Sequence, residues 1–68
     1  MDIETFEKNI RKMARRATAE GDALYRRMDP RARQAGHTDE EAEAYYAAAK
    51  SLFMAADKLQ VYILQRDA

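Results

Sequence analysis

The stretch from Thr38 to Gln65 constrains the fold more than any other. Between Ala42 and Leu64 the only charged residues are Glu43, Lys50, Asp57 and Lys58. At about 100° per residue, Glu43, Lys50 and Asp57 share one line of a helix. The other sides carry Ala, Tyr, Phe, Leu, Met, Val and Ile, with few polar breaks. A helix with so narrow a charged line demands neighbours on more than one side. The rest of the chain can supply one of them.

With 68 residues, the chain reads as a single domain, 1–68. A core of that size seldom gives more than about 3–5 kcal/mol of net stability, so small domains usually carry a staple. There is no cysteine and one histidine, which excludes a disulfide and a His/Cys metal cage. Self-association or docking on a partner is the staple left. The lack of cysteine is compatible with the cytoplasm, the expected location. Asp2, Glu4 and Glu7 interrupt any apolar opening run, so no signal-peptide pattern is expected. No stretch of about 18 uncharged apolar residues exists, so no membrane span is expected.

Net charge is zero but unevenly spread. Residues 1–7 hold three acids; residues 8–36 carry nine Lys/Arg against Glu20, Asp22 and Asp29; residues 37–68 carry six acids against Lys50, Lys58 and Arg66. Uniformly basic nucleic-acid binders differ from this. The pattern suits two oppositely charged helices packed together, or a basic face aimed at an acidic target.

The first helix is expected over 3–28. Asp2 caps it, and Ile3, Phe6, Ile10, Met13–Ala14, Ala17, Gly21, Leu24–Tyr25 and Met28 form a narrow apolar seam. Glu4–Lys8, Glu7–Arg11 and Asp22–Arg26 are acid-before-base pairs one turn apart. Gly21 costs about 1 kcal/mol relative to Ala in a helix. With Ala17 it either admits a second helix closely or marks a kink. The connection is 29–38. Asp29-Pro30 reads as a cap followed by a first helical residue, and Gly36 suits a left-handed stop, so Pro30–Ala35 can form one helical turn. Thr38-Asp39-Glu40-Glu41 reads as a capping box, with Thr38 as the cap of a second helix over 39–65. Two long helices and a short connection predict an all-α antiparallel hairpin.

A wheel of the second helix separates two surfaces. Ala42, Tyr45, Tyr46, Ala49, Leu52, Phe53, Ala56, Leu59 and Ile63, with Leu64 at the edge, match the seam of the first helix. Ala44, Ala47, Ala48, Ser51, Met54, Ala55, Val61 and Tyr62 form the second surface, with Lys58 its one charge. Either alanine serves there simply as a helix former, or the surface is a homodimer interface that completes a four-helix bundle.

Catalytic signatures are absent: there is no Ser/His/Asp set, no Gly-rich phosphate loop and no Cys nucleophile. The chain is read as a non-enzyme without cofactor or metal. His37 reads as an exposed loop residue. Asp39, Glu40, Glu41 and Glu43 are explained by a dipole-stabilised first turn more readily than as metal ligands. The basic run Lys8, Arg11, Lys12, Arg15 and Arg16 sets like charges one turn apart. It is either a solvated face or a site for phosphates, an acidic protein surface or anionic lipid. No aromatic interleaves it, which argues against stacking on single strands. Arg11, Arg15, Tyr25, Arg26, Arg27 and Met28 are candidate contacts to a larger protein, with Met54 and Tyr62 as further apolar anchors.

In its two helices, short connection and Arg/Ala-rich composition, nearly the whole chain resembles two groups. One is the Rop-like hairpin regulators, which dimerise into four-helix bundles and bind RNA. The other is the small helical inhibitors of phages, among them quorum-sensing anti-activators and anti-CRISPR proteins. The resemblance implies a regulator or inhibitor that occludes a host protein. A dimeric RNA- or DNA-binding regulator and a structural assembly subunit are the alternatives.

Overall fold

The computed structural model describes residues 2–68 as three helices in the order α1 (Ile3–Arg27), α2 (Pro30–Gln34) and α3 (Glu40–Arg66). Among the described residues there is no strand. The two long helices pack along their length as an antiparallel hairpin measuring 52 × 19 × 12 Å. Its thickness is that of one helix with side chains, about 10–12 Å.

Each boundary has a local cause. The Asp2 carboxylate accepts from the Thr5 amide at 2.7 Å and caps α1. That bond holds the Asp2 carboxyl below its ordinary range. α1 stops at Arg27, one residue short of the expected end, because Met28 precedes Asp29-Pro30 and is extended. Asp29 accepts from the Arg31 amide at 2.9 Å and caps the short α2. Gly36 closes it at φ 86°. The start of α3 differs from expectation. The cap is Asp39, whose carboxylate accepts from the Glu41 and Ala42 amides at 2.9 and 3.4 Å. A charged carboxylate at this place takes two free amides at once, where the Thr38 hydroxyl of a capping box would take one.

The seam alternates steps of four and three. On α1 it runs Ile3, Glu7, Ile10, Ala14, Ala17, Gly21 and Leu24 and ends on the C-cap residue Met28, all buried or half-buried. On α3 it runs Ala42, Tyr45, Ala49, Leu52, Ala56, Leu59 and Ile63. The innermost residues are small: Ala14, Gly21, Ala42, Ala49 and Ala56 are buried. A Cβ on Gly21 would lie 2.8 Å from Tyr46 Cε1 and 3.2 Å from the Ala42 carbonyl oxygen. Gly21 therefore serves close approach, and α1 runs through it unbroken.

The expected seam is corrected at Phe6, Met13 and Leu64. Phe6 and Met13 are 50% and 57% exposed. Each stands one residue before a seam position, Glu7 and Ala14, and so falls on the flank of the hairpin. Leu64, placed at the edge of the seam, is 64% exposed. The cost of a seam of alanines is a thin core: among the described residues no side chain larger than alanine is fully buried.

Candidate interaction surface

The seam divides the hairpin into two unlike flanks. On one flank, polar side chains cross between the helices. Arg11 Nε donates to Glu7 Oε1 at 2.6 Å, and its Nη2 donates to Asp57 Oδ1 at 3.0 Å and Gln60 Oε1 at 3.1 Å. These carboxylates push the Arg11 guanidinium pKa upward, Glu7 most. The Tyr46 hydroxyl donates to Asp22 Oδ1 at 2.7 Å. That bond, then desolvation, pushes the phenol from 10.0 to about 12. Arg66 bridges Glu4 and Asp67, which raises its pKa.

The other flank is an open apolar groove. Near the termini it is a hollow of about 740 Å³ lined by Ile3, Phe6 and Ile10 of α1 and by Ala55, Leu59 and Tyr62 of α3, with Lys58 at its side. It continues along the hairpin as a second hollow between Met13 and Ala17 on α1 and Tyr45, Ala48 and Leu52 on α3. Arg16 and Glu20 edge that part. Beyond it, Ala44 and Glu41 extend the surface along α3.

The expected dimer surface is exposed at every position: Ala44, Ala47, Ala48, Ser51, Met54, Ala55, Val61 and Tyr62. The structure splits it, however. Ala48, Ala55 and Tyr62 line the groove. Ala47, Met54 and Val61, seven apart, run along the side of α3 turned away from α1. Phe6 and Met13 belong to the groove, and sequence reasoning placed them in the hairpin interior instead. The signal that locates the seam is the seven-residue spacing of Ala42, Ala49 and Ala56, matched by Ala14 and Gly21.

The basic residues are likewise divided. Arg11 is half-buried and committed to Glu7, Asp57 and Gln60, so it is not a free contact in the hairpin. Lys8, Lys12, Arg15 and Arg16 are exposed, and none forms an ion pair among the described residues. Arg26 and Arg27 are exposed in the last turn of α1, where they complement the helix dipole. Tyr25 and Met28 are half-buried, and Arg33 stacks over the Tyr25 ring at 5.3 Å. His37 is exposed in the connection.

Among the described residues no group of His, Asp or Glu is arranged to hold a metal, and no helix is long and apolar enough to cross a membrane. No protein-family model, curated protein or solved structure matches the chain.

Proposed function

We propose that the chain is a small non-enzymatic interaction protein that regulates or inhibits a larger protein by covering part of its surface, and that it works as a homodimer. One observation carries this reading. Among the described residues the hairpin fully buries nothing larger than alanine, yet leaves Phe6, Met13, Met54, Val61 and Tyr62 at least half exposed. A lone hairpin of this kind lacks the core that a small domain needs. Pairing through the groove makes a four-helix bundle. Met54 and Val61, on the side of α3 turned away from α1, then remain as apolar anchors for the target, while the α1 cations that form no ion pair among the described residues stay exposed on the first helix. A host transcription regulator or defence complex, met by a phage- or mobile-element-type inhibitor in the cytoplasm, fits that arrangement.

A second reading is favoured by Lys8, Lys12, Arg15 and Arg16, exposed and without an ion pair among the described residues: a dimeric regulator that binds RNA or DNA along α1. Capture from native host lysate across a salt series separates the two. A protein target is retained at moderate salt and lost with Met54→Lys. Nucleic acid is released steeply by salt and lost with Lys12→Glu/Arg15→Glu, and that result would replace the first reading.

A further inference from the structure

Pairing through the groove and a target on the Met54–Val61 row leave one face of α1 without a use. Lys8, Lys12, Arg15, Arg16, Arg26 and Arg27 are all exposed. At about 100° per residue they fall within about 60° of Lys12, on the side opposite the seam. No acid of α1 shares that sector. Glu4, Glu7 and Asp22 bond to Arg66, Arg11 and Tyr46 on the polar flank, and Glu20 edges the groove. The basic face repels itself where Lys8–Lys12 and Lys12–Arg16 stand one turn apart, and no ion pair among the described residues relieves it.

We infer that this face holds the phosphate backbone of a double-stranded nucleic acid. The cations flank Lys12 in two rows, with Lys8, Arg15 and Arg26 on one side and Arg16 and Arg27 on the other. Between the rows stand the small residues Thr5, Ala19 and Ala23, so nothing bulky holds a double strand away. From Lys8 to Arg27 the face runs roughly 28 Å at ~1.5 Å per residue, close to the ~34 Å of one duplex turn. Other partners fit it less well. Its apolar residues are alanines, so a protein finds no anchor there and a bilayer gains nothing to bury. It carries no aromatic on which unpaired bases could stack. Arg16 stands where the face meets the groove, and the other five cations lie outside the groove lining.

This assignment rests on the second reading above and names its ligand, and one titration tests the two separately. The full chain is added to fluorescently labelled duplex DNA, duplex RNA and single strands, and anisotropy is read across a salt series. Both duplexes offer the same phosphates, and the DNA and RNA arms tell them apart. The expected result is a duplex held about 10-fold or more tighter than its single strands, with affinity falling steeply as salt rises. Lys12→Glu should weaken duplex binding about 10-fold or more. It sets an acid between Lys8 and Arg16, so the helix keeps its fold, which circular dichroism checks. Lys50→Glu on α3 makes the same change in net charge away from the face, and should leave affinity within about 2-fold. Equal losses from the two variants would assign binding to net charge and overturn the site. Single strands held as tightly as the duplex overturn the inference and leave the second reading standing. No binding to any of the three overturns both and leaves the face to an acidic protein surface.

Discussion

The polar flank and the apolar flank of this hairpin are built on the same seam and meet water differently. On the polar flank, Arg11 spans the crossing to Asp57 and Gln60 while its own-helix partner Glu7 sits beneath it, with 12% of its side chain exposed. Arg11, Glu7, Asp57 and Gln60 already have partners within the chain, so a second protein docking on that crossing would have to displace them. On the apolar flank, Phe6, Met13 and Tyr62 have water where a partner would fit. Surface that is satisfied internally closes a hairpin. Surface left unsatisfied is where the proposed partner would dock.

The largest effect should come from two methionines of near-equal exposure, Met13 at 57% and Met54 at 55%. Met13→Lys puts a charge into the groove, where two copies would confront each other in the proposed dimer. It should weaken self-association by about 100-fold or more, which is about 2.7 kcal/mol. Met54→Lys, on the side of α3 turned away from α1, should leave the sedimentation profile unchanged. Equal losses from both substitutions would erase the distinction between the groove and the outer row.

Next in size is Gly21→Ala. Helix propensity alone predicts a gain of about 1 kcal/mol. The seam predicts the reverse, because the new methyl would meet the Tyr46 ring and the Ala42 carbonyl. Overpacking of that kind costs about 1–3 kcal/mol. Chemical denaturation should therefore show a lower midpoint. A rise would mean that the seam takes a methyl group at residue 21 without strain, and that close approach is not what glycine supplies there.

Arg11→Met tests the polar flank itself. It keeps much of the apolar stem and strands the mostly covered Glu7 carboxylate without its cation. The thermal midpoint should fall by a few degrees, and adding Glu7→Gln should recover part of the loss. Independent effects of the two substitutions would show that the crossing is a surface contact of little consequence.

How much of this was legible in the sequence follows from what each pattern encodes. The hairpin was readable because apolar spacing and the Asp29-Pro30 and Gly36 punctuation act locally. The cap moved from Thr38 to Asp39 because both residues satisfy the same local rule, and only geometry chooses between them. Phe6 and Met13 were misplaced because their size reads as core, while the innermost seam positions are in fact held by alanine and glycine. Glu7 and Arg11 read only as a surface pair one turn apart. Nothing on α1 alone says that Asp57 and Gln60 will meet them from α3.

The smallest effect concerns Tyr46, and its sign follows from the Asp22 bond. The hydroxyl donates to a carboxylate, so ionising the phenol loses that bond and sets two negative charges side by side. The folded chain therefore holds the proton to about 12, against 10.0 for the free phenol. Because the folded value is the higher one, this group's contribution is complete below pH 10.0 and is lost as pH rises toward about 12. Denaturation series across that window should show wild-type stability falling with pH, and Tyr46→Phe should remove that part of the slope. Met13→Lys should leave the slope in place, because the groove lies across the seam from Tyr46. A slope that follows the groove substitution instead would show that the two flanks do not act independently.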